Sequence, residues 1–420
     1  MFIDLTPEQR ALRDELRGYF AGLMTQAERA ELLTERHGAV YRDVVRRMGR
    51  DGWLGVGWPV RYGGRGFGQV EQQIFADEAA RADVPLPAVT LQTVGPTLQE
   101  HGTPWQQDFF LPRILAGEVH FAIGYTEPEA GTDLASLRTR AVRDGEEYVV
   151  DGQKIFTTGA HAADYVWLAC RTDPAAPKHK GISILIVDTA DPGFSWTPII
   201  THDGAHHVNA TYYSGVRVPV RMRVGAENEG WRLITTQLNH ERVMLGPAGR
   251  IAALHDRVRA WAAERSLLAQ PDVHRALARA SVVMRVNELL NWQVAAAPAL
   301  DVADASVTKV FSSEQLQVIG QELAEVVGRH ADASPDTAEL MTWLDVQLKR
   351  NIVLTFGGGV NEIQRELIAT AGLGLPGRPD ERRGHDRGGG RAPHRFRRQP
   401  PPRRPRPGQP PHDPQLDRDH

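Results

Sequence analysis

Residues Phe121–Thr158 read FAIGYTEPEAGTDLASLRTRAVRDGEEYVVDGQKIFTT, and this stretch decides the fold. An extended apolar opening, FAIGY, runs into TEPEAGTD, a loop of hydroxyls, carboxylates and glycine. Gly131 allows the backbone to come close to a ligand, and Thr126 and Thr132 offer side-chain donors beside exposed backbone amides. Two Asp-Gly pairs follow, Asp144-Gly145 and Asp151-Gly152, each between short runs rich in β-formers. Such pairs are the strongest local hairpin signal in a sequence. They predict a three-stranded meander whose last strand is Gln153–Thr158. Period-two alternation then puts Phe156 and Thr158 on one face, an aromatic plane beside a hydroxyl. That pairing suits a flat heteroaromatic ring needing a stacking wall and a hydrogen bond.

A lone TEP or a lone FTT describes an ordinary β-domain loop; order and spacing carry the meaning. TEPxAGTD followed by DGxKxFTTGAxxAD resembles the acyl-CoA dehydrogenase family, in which these two segments cradle the flavin of FAD.

Toward the N-terminus, Thr6-Pro7-Glu8-Gln9 has the form of a capping box with proline at the first helical position. Leu5, Leu12, Leu16 and Phe20 follow at helical spacing as one buried stripe. Further helices are predicted over Val40–Arg50, Val70–Arg81, Leu91–His101 and Trp105–Ala116. Gly52–Gly68, GWLGVGWPVRYGGRGFG, is glycine-rich but lacks the Lys-Ser/Thr of a phosphate loop. It resembles the WPxxYGG connector between N-terminal helices of the same family. Residues 1–120 therefore form a helical domain.

Residues 121–224 form a β domain, continued by GISILIVDT (Gly181–Thr189), FSWTPII and ATYYSGVRVPV. His202, His206 and His207 invite a metal reading, but no cysteine or spaced carboxylate pair accompanies them, so a solvated loop is expected. Cys170, the single cysteine, lies in the apolar run YVWLAC and reads as a packed thiol. Residues 225–376 return to helices: Trp231–Ala260, interrupted at Gly246-Pro247-Ala248-Gly249, then Pro271–Ala295, Ala303–Val327, Thr337–Thr355 and, after Gly357-Gly358-Gly359, Asn361–Ala371. The expected fold is mainly α with a central β domain. The resemblance makes it the acyl-CoA dehydrogenase fold: an N-terminal helical domain, a β-barrel-like middle domain and a C-terminal helical bundle.

Residues 377–420 differ from all of this, being half Arg plus Pro with almost no large apolar residue, so they cannot build a core. Family members end shortly after a GLGLP like that at Gly372–Pro376, and the tail reads as a shifted reading frame or read-through. An Arg-rich arm for nucleic acid is the alternative. The chain carries a net charge of −3, and its tail holds 12 Arg against 6 Asp plus Glu, which leaves −9 on the body. That balance disfavours nucleic acid as the body's partner. With 41% hydrophobic residues over 420 positions, no targeting leader and no membrane-length apolar run, a soluble cytoplasmic protein is expected.

The resemblance implies a reaction. The family removes two hydrogens across the α and β carbons of an acyl-CoA thioester: a carboxylate takes the α proton and the β hydrogen leaves as hydride to flavin N5. The base needs a dry pocket to raise its basicity, and flavin and thioester must stack closely. In one branch the base is a Glu just before the xGTxxIQR ending, and here GGGVNEIQR puts Gly358 at that position. In the branch that includes isovaleryl-CoA and long-chain enzymes it is a Glu on an early C-terminal helix, and TTQLNHERVML matches it with Glu241. A Glu-Arg pair on a helix is ordinarily a solvated surface feature, and it is the resemblance that makes Glu241 the base and Arg242 the residue holding the CoA end. By the same carry-over, Tyr125, Thr126, Gly131 and Thr132 line the flavin and its pyrophosphate, with Thr132 also near substrate. Phe156, Trp in many relatives, walls the ring, and Thr158 bonds near N5.

The departures matter equally. Homotetrameric relatives complete each FAD site with a neighbour's RQxFG-like motif and QxxGGxG stretch. Pro271–Leu289 lacks the first and Leu323–Ala331, LAEVVGRHA, lacks the second; Val360 also replaces a frequent Thr. GYTEPEAGTDLASLRT, NHERV and LTFGGGVNEIQR resemble the base-bearing subunit of actinobacterial α2β2 steroid side-chain acyl-CoA dehydrogenases. The resemblance implies a second subunit, a steroid side-chain acyl-CoA as substrate and an electron-transfer flavoprotein as acceptor. Competing readings are a flavin monooxygenase or oxidase on the same fold, and a non-catalytic partner subunit.

Overall fold

Thr6 caps the first helix, α1 (Pro7–Leu23), by the reciprocal bonds of a capping box, and Leu12, Leu16, Phe20 and Leu23 are its buried stripe. The computed structural model describes residues 4–235, 237, 246–297 and 301–376, all within one unit, Met1–Gly377. The 377–420 tail lies outside them. A second helix, α2 (Gln26–Thr34), was not expected. Its own capping box, Thr25 with Glu28, was present in the sequence, but its weak apolar pattern buries only Leu32. Helices α3 (Ala39–Arg50), α4 (Gln69–Arg81), α5 (Gly95–His101) and α6 (Pro104–Leu115) complete the helical N-terminal domain. The glycine-rich connector between α3 and α4 is punctuation with a packing role: Trp53, Leu54, Val56 and Trp58 are buried, and Trp58 Nε1 donates to Leu91 O at 3.2 Å.

Eight strands follow: β1 (Phe121–Gly124), β2 (Arg140–Asp144), β3 (Glu147–Thr158), β4 (Tyr165–Arg171), β5 (Ile182–Asp188), β6 (Phe194–Ile200), β7 (His206–Pro219) and β8 (Arg223–Val224). They form one sheet in the order β6-β7-β3-β2-β4-β5-β8, with β1 parallel to β4. Strands β4 and β5 are buried on both faces, so their runs are almost continuously apolar. Val166, Leu168, Cys170, Leu185 and Val187 pack with Tyr148, Tyr213 and Val216 in one core, while Trp167, Ala169, Ile184 and Ile186 join the N-terminal helical core. Cys170 is a packed thiol whose pKa burial pushes up to about 12.

The expected three-stranded meander is corrected. Asp144-Gly145 does begin a tight turn, with Asp144 opposite Glu147 and Gly145 at φ 60. Asp151-Gly152 does not turn: β3 runs through it unbroken, paired along its length with β7. There the register shifts between Val150 and Asp151, and Asp151 Oδ1 accepts from Gly215 N at 2.9 Å. A Cβ on Gly152 would lie 2.7 Å from Thr139 Cα. Here the Asp-Gly pair serves a bulge and a close backbone approach. Gly152→Ala is expected to destabilise the chain by about 1–3 kcal/mol through that overlap, read as a lower midpoint in urea unfolding.

The C-terminal domain is helical: α7 (Gly249–Glu264), α8 (Pro271–Ala296), α9 (Val302–Arg329), α10 (Pro335–Asn351), a 3-10 turn Ile352–Thr355, and α11 (Asn361–Leu367). Leu254, Val258, Trp261, Val273, Ile319, Leu323 and Leu344 form its core. The long helix expected from Trp231 is helical at 230–235 and again from Gly249, with Gly246-Pro247 outside both helical segments. No helix among the described residues is long and apolar enough to cross a membrane.

Candidate functional site

Lys154 sits at an inward position of β3 and is fully buried, at 0% exposure. An inward ammonium needs acceptors, and the TEPEAGTD loop supplies them. Lys154 Nζ donates to Glu127 Oε1 at 2.8 Å and to Tyr125 O at 3.0 Å. The buried Glu127 carboxylate also accepts from Arg138 N at 2.7 Å and Thr139 N at 2.8 Å. Burial opposes ionisation of Glu127, yet Lys154 and these amides hold its pKa below the usual carboxylate range. Ile155 N donates to Thr126 O at 2.8 Å, so loop and strand are joined at three levels. Reciprocal backbone bonds of 3.1 Å between Glu127 and Ala130 then turn the loop outward, leaving Gly131 and Thr132 exposed and Thr126 half-buried. A Cβ on Gly131 would meet only Thr126 Cγ2, at 3.6 Å; within the chain, nothing there requires glycine.

The end of β3 is irregular. The register shifts between Lys154 and Thr157, and Phe156 takes a positive φ of 59. The residue is 62% exposed. A β-branched or aromatic residue rarely adopts this backbone, and bulges of this kind gather at functional sites. Thr157 turns inward, to 3.4 Å from Thr211 Oγ1, and Thr158 is exposed on the side that borders a large cleft. Tyr125 differs from its neighbours. Its side chain is buried, taking a bond from Trp167 Nε1 at 3.2 Å and bonding Gln237 Oε1 through its hydroxyl. Its backbone oxygen is what meets β3, through Lys154 Nζ.

The cleft, about 430 Å³, lies between Thr158, helix α4, the start of α7 and the end of α10. Ala76, Ala80, Leu86, Ala253, Leu254 and Leu354 give it apolar walls. Charged groups line it as well. Arg36 pairs with Asp83 Oδ1 at 3.2 Å, and Trp343 Nε1 and Gln347 Nε2 each donate to Asp83 Oδ2 at 3.2 Å. Arg350 Nε and His207 Nε2 meet Asp203 Oδ2 at 3.1 and 3.0 Å.

The solvated-loop expectation for the histidines holds only for His202, which is exposed. His206 and His207 lie half-buried in β7, His206 stacked on His161 with centroids 4.0 Å apart. No group of three His, Cys, Asp or Glu among the described residues could hold a metal.

Glu241 and Arg242 lie outside the described residues. The chain on either side of them is anchored. Gln237 Nε2 donates to Thr97 Oγ1 at 2.9 Å, and Gly246 O accepts from the buried amides of Asn287 and Asn291 at 2.8 and 3.1 Å. Gly358 has a φ of 68 and Gly359 of 91, and the buried Lys309 fastens this turn by donating to Gly359 O and Asn361 Oδ1, each at 2.7 Å. Sequence reading gave no role to Lys154, Glu127, Gln237, Asn287 or Asn291. Only the first had a signal: a lysine at an inward strand position implies a buried acceptor.

Three family models match: the acyl-CoA dehydrogenase N-terminal domain over residues 6–118, the middle domain over 122–216 and the C-terminal domain over 228–373. Acyl-CoA dehydrogenase FadE29 of Mycobacterium tuberculosis is 67% identical over 383 residues, 90% of this chain and 99% of the relative. Among solved structures, the Tcur3481–Tcur3483 steroid ACAD aligns with a TM-score of 0.84 at 50% identity, covering 90% of this chain and all of that one. The ChsE4–ChsE5 complex from Mycobacterium tuberculosis aligns with a TM-score of 0.82 at 49% identity and the same coverage. The zipped loop and strand fall within the matched middle domain, and the chain belongs to the acyl-CoA dehydrogenase family of flavoprotein oxidoreductases.

Proposed function

We propose that this chain is the base-bearing subunit of a heteromeric, FAD-dependent acyl-CoA dehydrogenase acting on a steroid side-chain acyl-CoA. The observation that carries the flavin reading is Phe156: a large aromatic held at positive φ and left in solvent beside an exposed threonine. Such an arrangement is costly to the chain alone and fits a planar ring laid against it. Phe156 would stack on that ring and Thr158 would bond its edge. Thr126, Gly131 and Thr132 would meet the flavin and pyrophosphate along the exposed loop, with Tyr125 contributing its backbone and anchoring the loop below. When bound, FAD supplies the hydride acceptor for the β hydrogen. The Glu241 carboxylate takes the α proton, Arg242 holds the CoA end, and the apolar cleft walls keep water from the acyl group. Electrons then pass to an electron-transfer flavoprotein.

Two observations support the heteromer. The neighbour's FAD motifs are absent from Pro271–Leu289 and Leu323–Ala331, and two similar solved structures are two-protein assemblies, one of them described as a steroid ACAD. The test is the flavin absorbance and native mass of the chain, purified alone and then with a second acyl-CoA dehydrogenase-like subunit. Flavin retained only in the mixed assembly, one per heterodimer, is the expected result. A homotetramer of this chain alone with full flavin would remove the heteromer reading, and the steroid reading with it.

A further inference from the structure

A line of polar side chains crosses an otherwise apolar core. Trp167 Nε1 donates to the Tyr125 hydroxyl at 3.2 Å, and that hydroxyl donates to Gln237 Oε1. Gln237 Nε2 donates to Thr97 Oγ1 at 2.9 Å, and Thr97 Oγ1 donates to Thr93 O at 2.6 Å. Trp167, Tyr125, Gln237 and Thr97 are buried, at 0 to 7% exposure, and Phe121, Leu233 and Ile234 belong to the same core. Apolar side chains would fill this space without desolvating a phenol and a carboxamide. A chain in which each hydroxyl both accepts and donates specifies one arrangement of the groups it joins. Its far end lies in a π-helical turn, Val89–Val94, which is tied to β1 by Phe121 N on Thr90 Oγ1 at 3.0 Å. Such turns gather at functional sites, and Gln92 of this one lines the cleft.

The two central members belong to different halves of the proposed chemistry. Tyr125 immediately precedes the TEPEAGTD loop, and its backbone oxygen is held by Lys154. Gln237 stands four residues before Glu241. We propose that Tyr125 and Gln237 are positioning residues, their side-chain bond fixing the start of the base-bearing segment against the loop that holds the flavin. The inference rests on the reading of Glu241 as the base. The α proton and the β hydrogen leave one substrate for two acceptors, so the acceptors must be aligned with each other closely. The Tyr125–Gln237 bond supplies that alignment, and neither residue takes part in proton transfer.

The test follows flavin bleaching in a single anaerobic turnover of the flavin-loaded assembly, with the CoA thioester of a saturated steroid side-chain acid. Tyr125→Phe keeps the ring and removes the hydroxyl. Its bleaching rate constant is expected to fall about 10- to 100-fold, with flavin content and half-saturating thioester concentration unchanged. Gln237→Met should give a similar loss, and it serves should Tyr125→Phe fail to fold. The double variant should lose no more than the worse single one, because both remove the same bond. In a Glu241→Gln background, Tyr125→Phe should cost nothing further, since the group it positions is gone. Normal rate constants in the single variants overturn the assignment, as does an equal fractional loss with and without Glu241. Loss of flavin and bleaching amplitude with an unchanged rate constant in the remaining sites would mark a structural role only, and overturns it too. In these cases slow bleaching by Glu241→Gln alone still upholds the base. Near-normal bleaching by Glu241→Gln, or an assembly that no acyl-CoA bleaches, overturns both readings.

Discussion

Glu241→Gln is expected to lower kcat by roughly 10²- to 10⁴-fold, the usual share of general acid–base catalysis, while flavin stays bound and KM changes little. Glutamine keeps the size of the side chain and its hydrogen-bonding reach but cannot accept the α proton. The resemblance offers one alternative position for the base. Gly358 stands there, in a backbone conformation that L side chains rarely adopt, and Lys309 fixes the turn from beneath. The segment containing Glu241 is meanwhile held on both sides, by Gln237 against Thr97 and Tyr125 and by the paired amides of Asn287 and Asn291 on Gly246 O. Such anchoring suits a group that must be positioned to within fractions of an ångström. Steady-state turnover with an artificial electron acceptor, alongside the flavin absorbance of the same preparation, decides the matter. Near-normal turnover with bound flavin would exclude Glu241 as the base.

Helix positions were legible where capping and periodicity agreed, as at Thr6, whose capping box forms as the residue types require. Helix α2 escaped notice because a capping box without an apolar stripe gives half a signal. The Asp151-Gly152 turn was misread for a different reason. Asp-Gly marks a place where the backbone needs glycine, but whether it needs it for a turn or for close contact with Thr139 depends on a partner strand that local sequence does not reveal. The same holds for the histidines: THDGAHHVNA reads as polar loop, yet β7 starts at His206 because its partners in β6 and β3 draw it into the sheet. Phe156 and Thr158 were legible as a pair by alternation, although a bulge, not regular pleating, exposes them.

Lys154→Met is expected to cost about 3–5 kcal/mol of stability, the range for removing one partner of a buried ion pair, and to release flavin with it. Methionine fills the space of the lysine stem, so the loss is electrostatic and not a cavity effect. It strands the Glu127 carboxylate, buried at 8% exposure, with two backbone amides but no cation. The loop then loses its tie to β3 at Tyr125 O and Glu127 together. A second substitution separates charge from geometry. Lys154→Met combined with Glu127→Gln removes the stranded charge while keeping the amide contacts in part, and should recover part of the stability without restoring flavin affinity. The pH dependence carries a defined sign. Because the folded Glu127 pKa is lowered, its contribution is fully present above the unfolded carboxylate value of about 4.3 and is lost as pH falls through the lowered folded value. Urea unfolding of the wild type should therefore weaken across that acid window, and the double variant should show less of that weakening. A single variant as stable as the wild type at neutral pH would mean that the loop is held by its backbone bonds alone, and the loop-to-strand zipper would then lie in the Ile155–Thr126 contact.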